Sequence, residues 1–451
     1  MIWILDSLAR ETMLFAAVGL LIGGVDDLAT DAVYWVRRLA GHDRAVPIAR
    51  LGACEGAGRF VIFVPAWDEA AVIGAMLDTA LARIRHEDYR IHVGLYPNDA
   101  ATIAAVTKVA RRDARVRAVV GPRDGPTTKA DCLNVLWHDL RRSGAAVRAV
   151  VLHDAEDVVH PDALRVFDVL LDTHAVVQLP VQALIAAGSL VSGVYADEFA
   201  ESHGRNMVVR VALGAGMPLA GVGCAIRTDM LTRIAAMRDG NPFDAESLTE
   251  DYELGLRIAA FGGRGIFAQV LDADGEHVAT RAYFPADVRA AVRQKARWMI
   301  GISLAGWDRV GWGRWSAIGD HWMRMHDRRA PLAVLVLAVA YIALLAWPMS
   351  ALAHWGAATP MPAAGEGLLA ILAINGAMLL WRLVSRFVFT TRVYGFGEGL
   401  LSVPRFVVGN IIALMAARRA MLRYMGMLRG RAPVWDKTHH MFPDAEALDG
   451  R

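Results

Sequence analysis

The sequence predicts an α/β domain with a largely parallel sheet, set between apolar segments that reach a membrane. Three observations predict it. Short branched apolar runs alternate with helix-spaced segments between about residues 58 and 300. Carboxylates follow three of those runs. No charge falls between Pro331 and Gly365, which covers a spanning helix of about 20 residues.

Composition agrees. Of 451 residues, 55% are hydrophobic and 21% charged, which is apolar for a soluble protein. That length suggests about three units. A net charge of +2 gives no bulk electrostatic support for binding nucleic acid, so no nucleic-acid partner is expected. Cys54, Cys132 and Cys224 are far apart, form no metal-type pair and suit a reducing compartment.

Taken in chain order, the first apolar segment is N-terminal. Its charge-free part, Thr12 to Val25, is short for a span, but Trp3 and Tyr34-Trp35 flank it like interfacial anchors. Asp26-Asp27 follow in place of a cleavage-like site, so the segment is expected to be a retained anchor. A buried amphipathic helix is the alternative.

RFVIFVPAW (59–67) is the first predicted strand, followed by a helical pattern from Glu69 to Ile84. YRIHVGLYPND (89–99), RVRAVVG (115–121), AVRAVVLHD (146–154) and AVVQLPV (175–181) are the next four. In such sheets ligands bind beyond the carboxyl ends of the strands. Asp68 follows the first strand, Asp99 ends the second, and Asp154, Glu156 and Asp157 end the fourth. Lys129, in TTKADCLN (127–134), lies between the third and fourth.

Three carboxylates within four positions repel one another unless a positive charge sits among them. A solvated acidic turn and a divalent-cation site both fit that cluster alone. Acid and base on one rim suit a nucleotide diphosphate with its metal. No GxxxxGK[ST] loop occurs, and no GxGxxG follows the first strand, so dinucleotide binding is not expected.

Downstream, SLTEDYELGLRI (247–258) places Glu250 and Asp251 at the start of a helical pattern. Acidic residues are favourable there through the helix dipole alone. RQKARWMIG (293–301) puts Gln294, Arg297 and Trp298 about one turn apart. An amphipathic helix with a tryptophan at the membrane surface explains that segment equally well.

Together and in order, PAWDEA (65–70), PND (97–99), KADCLN (129–134), DAED (154–157), GVGCAIR (221–227), TED (249–251) and QKARW (294–298) resemble the family 2 glycosyltransferases of GT-A fold. The subgroup resembled is membrane-embedded and processive, as in cellulose and hyaluronan synthases. YGFGEGLLSVPRFVVGN (394–410), VWDKTHHMFP (434–443) and the N-terminal anchor narrow the resemblance to the bacteriophage adsorption protein B family. Longer members of that family carry a C-terminal domain that binds cyclic di-GMP. The chain stops at Arg451, so that regulation is not expected here.

The resemblance implies a GT-A, Rossmann-like domain with a mixed, mostly parallel sheet, plus transmembrane and interfacial helices. It implies a bacterial inner-membrane enzyme with its catalytic domain in the cytoplasm. Mg²⁺ or Mn²⁺ would be held by Asp154 with Glu156 or Asp157, where the family's third position is usually Asp. Asp68, in place of the usual Asn, would bind the nucleotide with Glu69, Asp99 and Lys129. Asp251 would be the general base, with Glu250 beside it. Gln294 and Arg297 would meet the diphosphate, and Trp298 a sugar of the acceptor. One base with no carboxylate nucleophile implies inversion.

The donor expected is a UDP-hexose or UDP-N-acetylhexosamine, and the product a surface polysaccharide that serves as a phage receptor. The acceptor expected is a glycan or a lipid-linked acceptor. Single transfer to a lipid, and a non-catalytic assembly or receptor component, are the alternatives.

The expected divisions are an anchor (1–45), a cytosolic catalytic domain (46–320), membrane and interfacial helices (321–430) and a cytosolic tail (431–451). Crossings are expected at the anchor, near 331–354 and near 361–384. Arg418, Arg419, Arg423, Arg429 and Arg431 follow the apolar segment 399–417, and a fourth crossing would put them all outside. That segment is therefore expected to lie along the inner face, interrupted by Pro404, Arg405 and Asn410, beside QKARW. Three spans make a thin wall for a polysaccharide, so an export partner or self-association is expected besides membrane lipids.

Overall fold

The computed structural model describes residues 2–52, 58–431 and 441–443. Cys54 and most of the 434–443 segment lie outside them. The chain opens with a single helix, α1 (Ile2–Leu39), longer than the charge-free stretch implied. Nine strands of three residues or more follow among the described residues: β1 (Phe60–Pro65), β2 (Tyr89–Leu95), β3 (Val116–Val120), β4 (Ala149–Leu152), β5 (Val176–Gln178), β6 (Val181–Leu184), β7 (Cys224–Arg227), β8 (Gly265–Phe267) and β9 (Thr280–Tyr283). Seven of them form one sheet in the order β3-β2-β1-β4-β7-β5-β8. β7 runs antiparallel to both its neighbours and every other pairing in that sheet is parallel. The sheet is thus mixed and mostly parallel, as expected.

Alternation along β1 explains its burial on both faces. Phe60, Ile62 and Val64 enter one apolar core, while Val61 and Phe63 enter the other. The expected fifth strand is in fact two. It breaks at Leu179-Pro180, and β6 leaves the large sheet to pair with β9. Proline cannot donate to a ladder, which suits a change of sheet at that point.

The helices that position the site are α2 (Lys129–Arg142), α3 (Leu190–Glu201), α4 (Glu250–Ala260) and α5 (Val288–Trp298). Three long helices end the described chain: α6 (Ala330–Gly356), α7 (Glu366–Tyr394) and α8 (Phe396–Leu428). With α1, four helices among the described residues are long and apolar enough to cross a membrane.

α1 runs antiparallel to α6. Asp6 near its start accepts from Ser350 at 2.5 Å and lies 3.1 Å from His354. Asp26 near its end pairs with Arg329 at 2.8 Å and His326 at 3.0 Å. Asn375 and Trp381 of α7 donate to the Ala17 carbonyl and Asp31. Small residues permit close approach. A Cβ on Gly19 would lie 2.6 Å from Val336, and one on Gly24 2.4 Å from Met378.

α8 differs from the interrupted segment expected. It runs unbroken through Pro404, and one face packs on the α/β domain. Ile412 joins Val292 in one apolar cluster, and Ala416 and Ala420 join Ala296 and Ile300 in the next. Arg405 is buried and pairs with Asp197 of α3 at 2.8 Å and Glu398 at 2.5 Å. Gly193 makes room for it, since a Cβ there would lie 2.2 Å from the guanidinium.

Candidate active site

The loops after β1 and β4, the starts of α2 and α4 and one face of α5 converge on one cleft of about 370 Å³. Glu69, Lys129, Asp154, Glu156, Asp157, Glu250, Asp251, Gln294, Arg297 and Trp298 all line it. Residues from five separated segments meet there, as the order of the strands requires.

Two expected residues sit off its lining. Asp99 caps the helix Ala100–Ala110 by accepting from Thr102 N–H at 3.2 Å. Its other oxygen accepts from Asp68 N–H at 2.6 Å. Asp68 holds φ +54°, a left-handed conformation that Asp tolerates better than most residues. The pair fixes the loop that turns Glu69 inward, where Glu69 N–H donates to Thr102 at 3.0 Å.

Lys129 is the first residue of α2, behind a Thr128 cap. Its ammonium reaches Asp154 at 2.5 Å and donates to the Gly221 carbonyl at 3.2 Å. Burial works against its charge, but Asp154, Glu250 and Asp251 outweigh burial and push its pKa up. The carboxylates respond in the opposite sense to ordinary surface acids. Burial and then the neighbouring Asp251 raise Glu250 to about 7. Burial also raises Asp251, against the pull of Lys129.

The turn after β4 separates the three acids. Asp157 is buried, and its Oδ2 meets His153 Nδ1 at 2.8 Å and accepts from Asp154 N–H at 3.0 Å. Burial raises its pKa despite that histidine. Asp157 therefore shapes the turn, while Asp154 reaches Lys129 across the cleft.

Opposite this acid–base group stands α5. Gln294 Oε1 and Arg297 Nε are buried and have no hydrogen-bond partner among the described residues. An unmet buried polar group costs about 1–3 kcal/mol, and these two line the cleft, where a polar ligand could meet them. Trp298 is edge-on to Tyr195 at 6.0 Å and Phe199 at 6.4 Å, with Phe284 stacked on Tyr195 at 5.1 Å.

Gly221 closes the cleft from behind. It has φ +74°, and a Cβ there would lie 2.6 Å from Asp251 Oδ2 and 3.2 Å from Lys129 Nζ. The loop before α4 is held by residues that sequence patterns did not mark. Ser247 donates to buried Glu253 at 2.5 Å, and Arg309 pairs with Glu253 at 2.9 Å. A Cβ on Gly301 would lie 2.3 Å from Thr249. Trp67, Thr128, Asp287 and Arg293 also line the cleft.

The donor set fits a divalent ion completed by a substrate. Asp154 and Glu156 are hard oxygen donors on the same wall, and among the described residues the cleft carboxylates form no tight triad of their own. The tight triad found among those residues is Asp26, Asp27 and His326, and Arg329 pairs with both of its carboxylates. A site of one or two carboxylates that leaves room for phosphate oxygens is the usual arrangement for Mg²⁺.

A mostly parallel sheet with an acidic rim, and a lysine and an arginine beside it, suits a glycosyltransferase domain. Residues 57–301 match the family model described as "Glycosyltransferase like family 2", and the chain belongs to that family. Beyond the domain, it is similar to bacteriophage adsorption protein B of Escherichia coli (strain K12). The two are 35% identical over 479 residues, which cover 98% of this chain and 64% of the relative. Bacteriophage N4 adsorption protein B of Escherichia coli O157:H7 gives the same identity and coverage. The chain thus spans about 64% of the length of the curated relatives it matches. In fold it is similar to mannosyltransferase PcManGT from Pyrobaculum calidifontis, solved in complex with GDP-Man and Mn²⁺. That match has a TM-score of 0.54 at 17% identity, over 88% of this chain and 99% of the other.

Proposed function

We propose that the cleft transfers a sugar, with inversion, from a nucleotide sugar to a glycan acceptor, with a divalent cation as cofactor. One observation carries this most strongly. Half-buried Gln294 and Arg297, each with a buried polar atom that is unmet among the described residues, face a carboxylate–lysine group across a cleft large enough for a donor.

Each residue then has a task. Asp154, with Glu156 as the second oxygen donor, would hold Mg²⁺ or Mn²⁺; Asp157 is engaged within its own turn. When bound, the ion supplies Lewis-acid stabilisation of the leaving diphosphate. Arg297 and Gln294 complement the same diphosphate from the other side. Lys129 holds the nucleotide end, with Glu69 on the loop fixed by Asp68 and Asp99. Asp251 takes the acceptor proton, and its raised pKa makes it a stronger base than a surface aspartate. Trp298 offers a flat apolar face to an acceptor sugar.

PcManGT carries GDP-Man and Mn²⁺ in its complex, and likeness to it supports a nucleotide-sugar donor and a metal. A UDP-hexose or UDP-N-acetylhexosamine is the donor we favour. Likeness to the phage adsorption proteins supports a surface polysaccharide product in the bacterial inner membrane, with the domain cytosolic. The packing of α8 on the domain supports a position along the inner face for that helix.

The test is a screen of nucleotide sugars against the purified full chain with Mg²⁺ or Mn²⁺. We expect hydrolysis or transfer from one donor, lost with EDTA and in Asp154→Ala while the fold is retained. Donor binding that ignores both EDTA and Asp154→Ala would return the acidic cluster to a solvated turn.

A further inference from the structure

We propose that a second cavity, across the Val181–Phe199 wall from the catalytic cleft, binds the phosphate of an anionic membrane phospholipid. The cavity measures about 120 Å³, and Val181 and Phe199 line both it and the cleft. The two spaces have opposite character. The cleft is lined by seven carboxylates, whereas among the described residues no Asp or Glu lines the second cavity. It presents Arg38, Arg392, His203 and His277 instead.

Neither arginine has a carboxylate partner among the described residues. Arg38 donates to the Asp43 carbonyl at 3.1 Å. Its neighbour Arg37 takes the Asp43 carboxylate, at 2.5 and 2.9 Å. Arg392 donates to the Tyr34 hydroxyl at 3.4 Å and otherwise rests on the rings of Trp35 and Phe389, at 5.8 and 5.5 Å. His277 Nδ1 is buried with no hydrogen-bond partner among the described residues. Two positive charges and an unmet ring nitrogen around one small space call for an anion.

Position identifies its source. Arg38 lies in the last turn of α1 and Arg392 in the last turn of α7, both candidate spans that end beside the catalytic domain. That is the depth of lipid head groups, where tyrosine and tryptophan collect and arginine attracts anionic lipid. Tyr34, Trp35 and Phe389 form such an aromatic setting around the arginines. A soluble anion would gain only the charges, whereas a phospholipid also places its glycerol and upper chains on these rings. The proposal stands independently of the transfer reaction.

The test uses the full chain in detergent, titrated with short-chain phosphatidylglycerol, short-chain phosphatidylcholine or inorganic phosphate. Bound lipid is read by native mass spectrometry. We expect phosphatidylglycerol to bind more tightly than phosphatidylcholine and to resist competition by inorganic phosphate. Arg38→Gln with Arg392→Gln should weaken it about 30-fold, two charges at ~1 kcal/mol each converted at ~1.4 kcal/mol per tenfold. Arg38→Lys with Arg392→Lys should keep most of the affinity, and Arg10→Gln at the far end of α1 should change nothing. Equal binding by the glutamine pair, equal binding of phosphatidylcholine, or displacement by inorganic phosphate would each overturn the proposal. So would a lysine pair as weak as the glutamine pair.

Discussion

Gly221→Ala tests the centre of the proposed mechanism with one methyl group. An added Cβ would lie 2.6 Å from Asp251 Oδ2, whereas ordinary contact begins near 3.4 Å. The carboxylate, or the loop that carries Gly221, must therefore retreat by about 0.8 Å. A misplacement of about 1 Å in a catalytic group can lower a rate by ~10²-fold. The backbone adds its own penalty, because φ +74° costs an alanine roughly 1–2 kcal/mol. These two effects can be separated. Gly214 has φ +63° with no described atom within 4 Å of its Cβ position, so Gly214→Ala carries the strain without the contact. Nucleotide-sugar turnover and thermal unfolding should be measured for both. We expect similar losses of stability, a fall of ~10²-fold in kcat for Gly221→Ala, and near-normal turnover for Gly214→Ala. Equal activity of the two variants would refute the placement of Asp251 as the base.

Further expectations follow from the same geometry. Asp251→Asn cannot accept a proton and should lower kcat by at least ~10²-fold while leaving donor affinity nearly unchanged, as isothermal titration would show. Glu250 sits at about 7 against an ordinary value of 4.5. The folded state thus holds its proton more tightly than the unfolded one, and ligand-free stability should fall as pH rises from about 4.5 to about 7. Glu250→Gln should flatten that part of the stability–pH curve, and an unchanged slope would assign it to other groups. Trp298→Ala should shorten or abolish polymer and spare donor binding, while full-length product would return Trp298 to a packing role. Arg405→Met leaves Asp197 buried without a main partner and should destabilise by about 3–5 kcal/mol. Adding Asp197→Asn should recover part of that loss, and a neutral single variant would contradict the pairing.

Much of the catalytic domain was legible because its signals are local. Phe60 to Val64 alternate between two cores, and a strand of branched residues buried on both faces shows itself in the sequence. The meeting of Lys129 and Asp154 followed from topology, since loops at one end of a parallel sheet share a rim, whereas Asp251 was placed there by the family resemblance. Non-local partners were not legible. Asp6, Asp26 and Asp31 flank the apolar part of α1 in the sequence, yet partners about 170 to 350 residues away, among them Trp322, Ser350, Trp381 and Arg205, let the helix continue. Arg405 read as a charge that must avoid lipid, and its partner Asp197 sits about 200 residues earlier. Glu156 and Asp157 could not be told apart by spacing, because only the geometry shows His153 on Asp157.

The packing of α8 bears on where the enzyme ends. By chain order alone, a cut at residue 320 releases a self-sufficient catalytic unit. In the structure it strips the cover from Val292, Ala296 and Ile300, on the back of the helix that presents Gln294, Arg297 and Trp298. It also leaves Asp197 buried without Arg386 or Arg405. A truncated domain would therefore show its first defects on the acceptor side of the cleft, with the β1–β4 half still intact. α8 backs the helix that lines the cleft, so detergents or lipids that pry it loose should act as inhibitors without touching the donor.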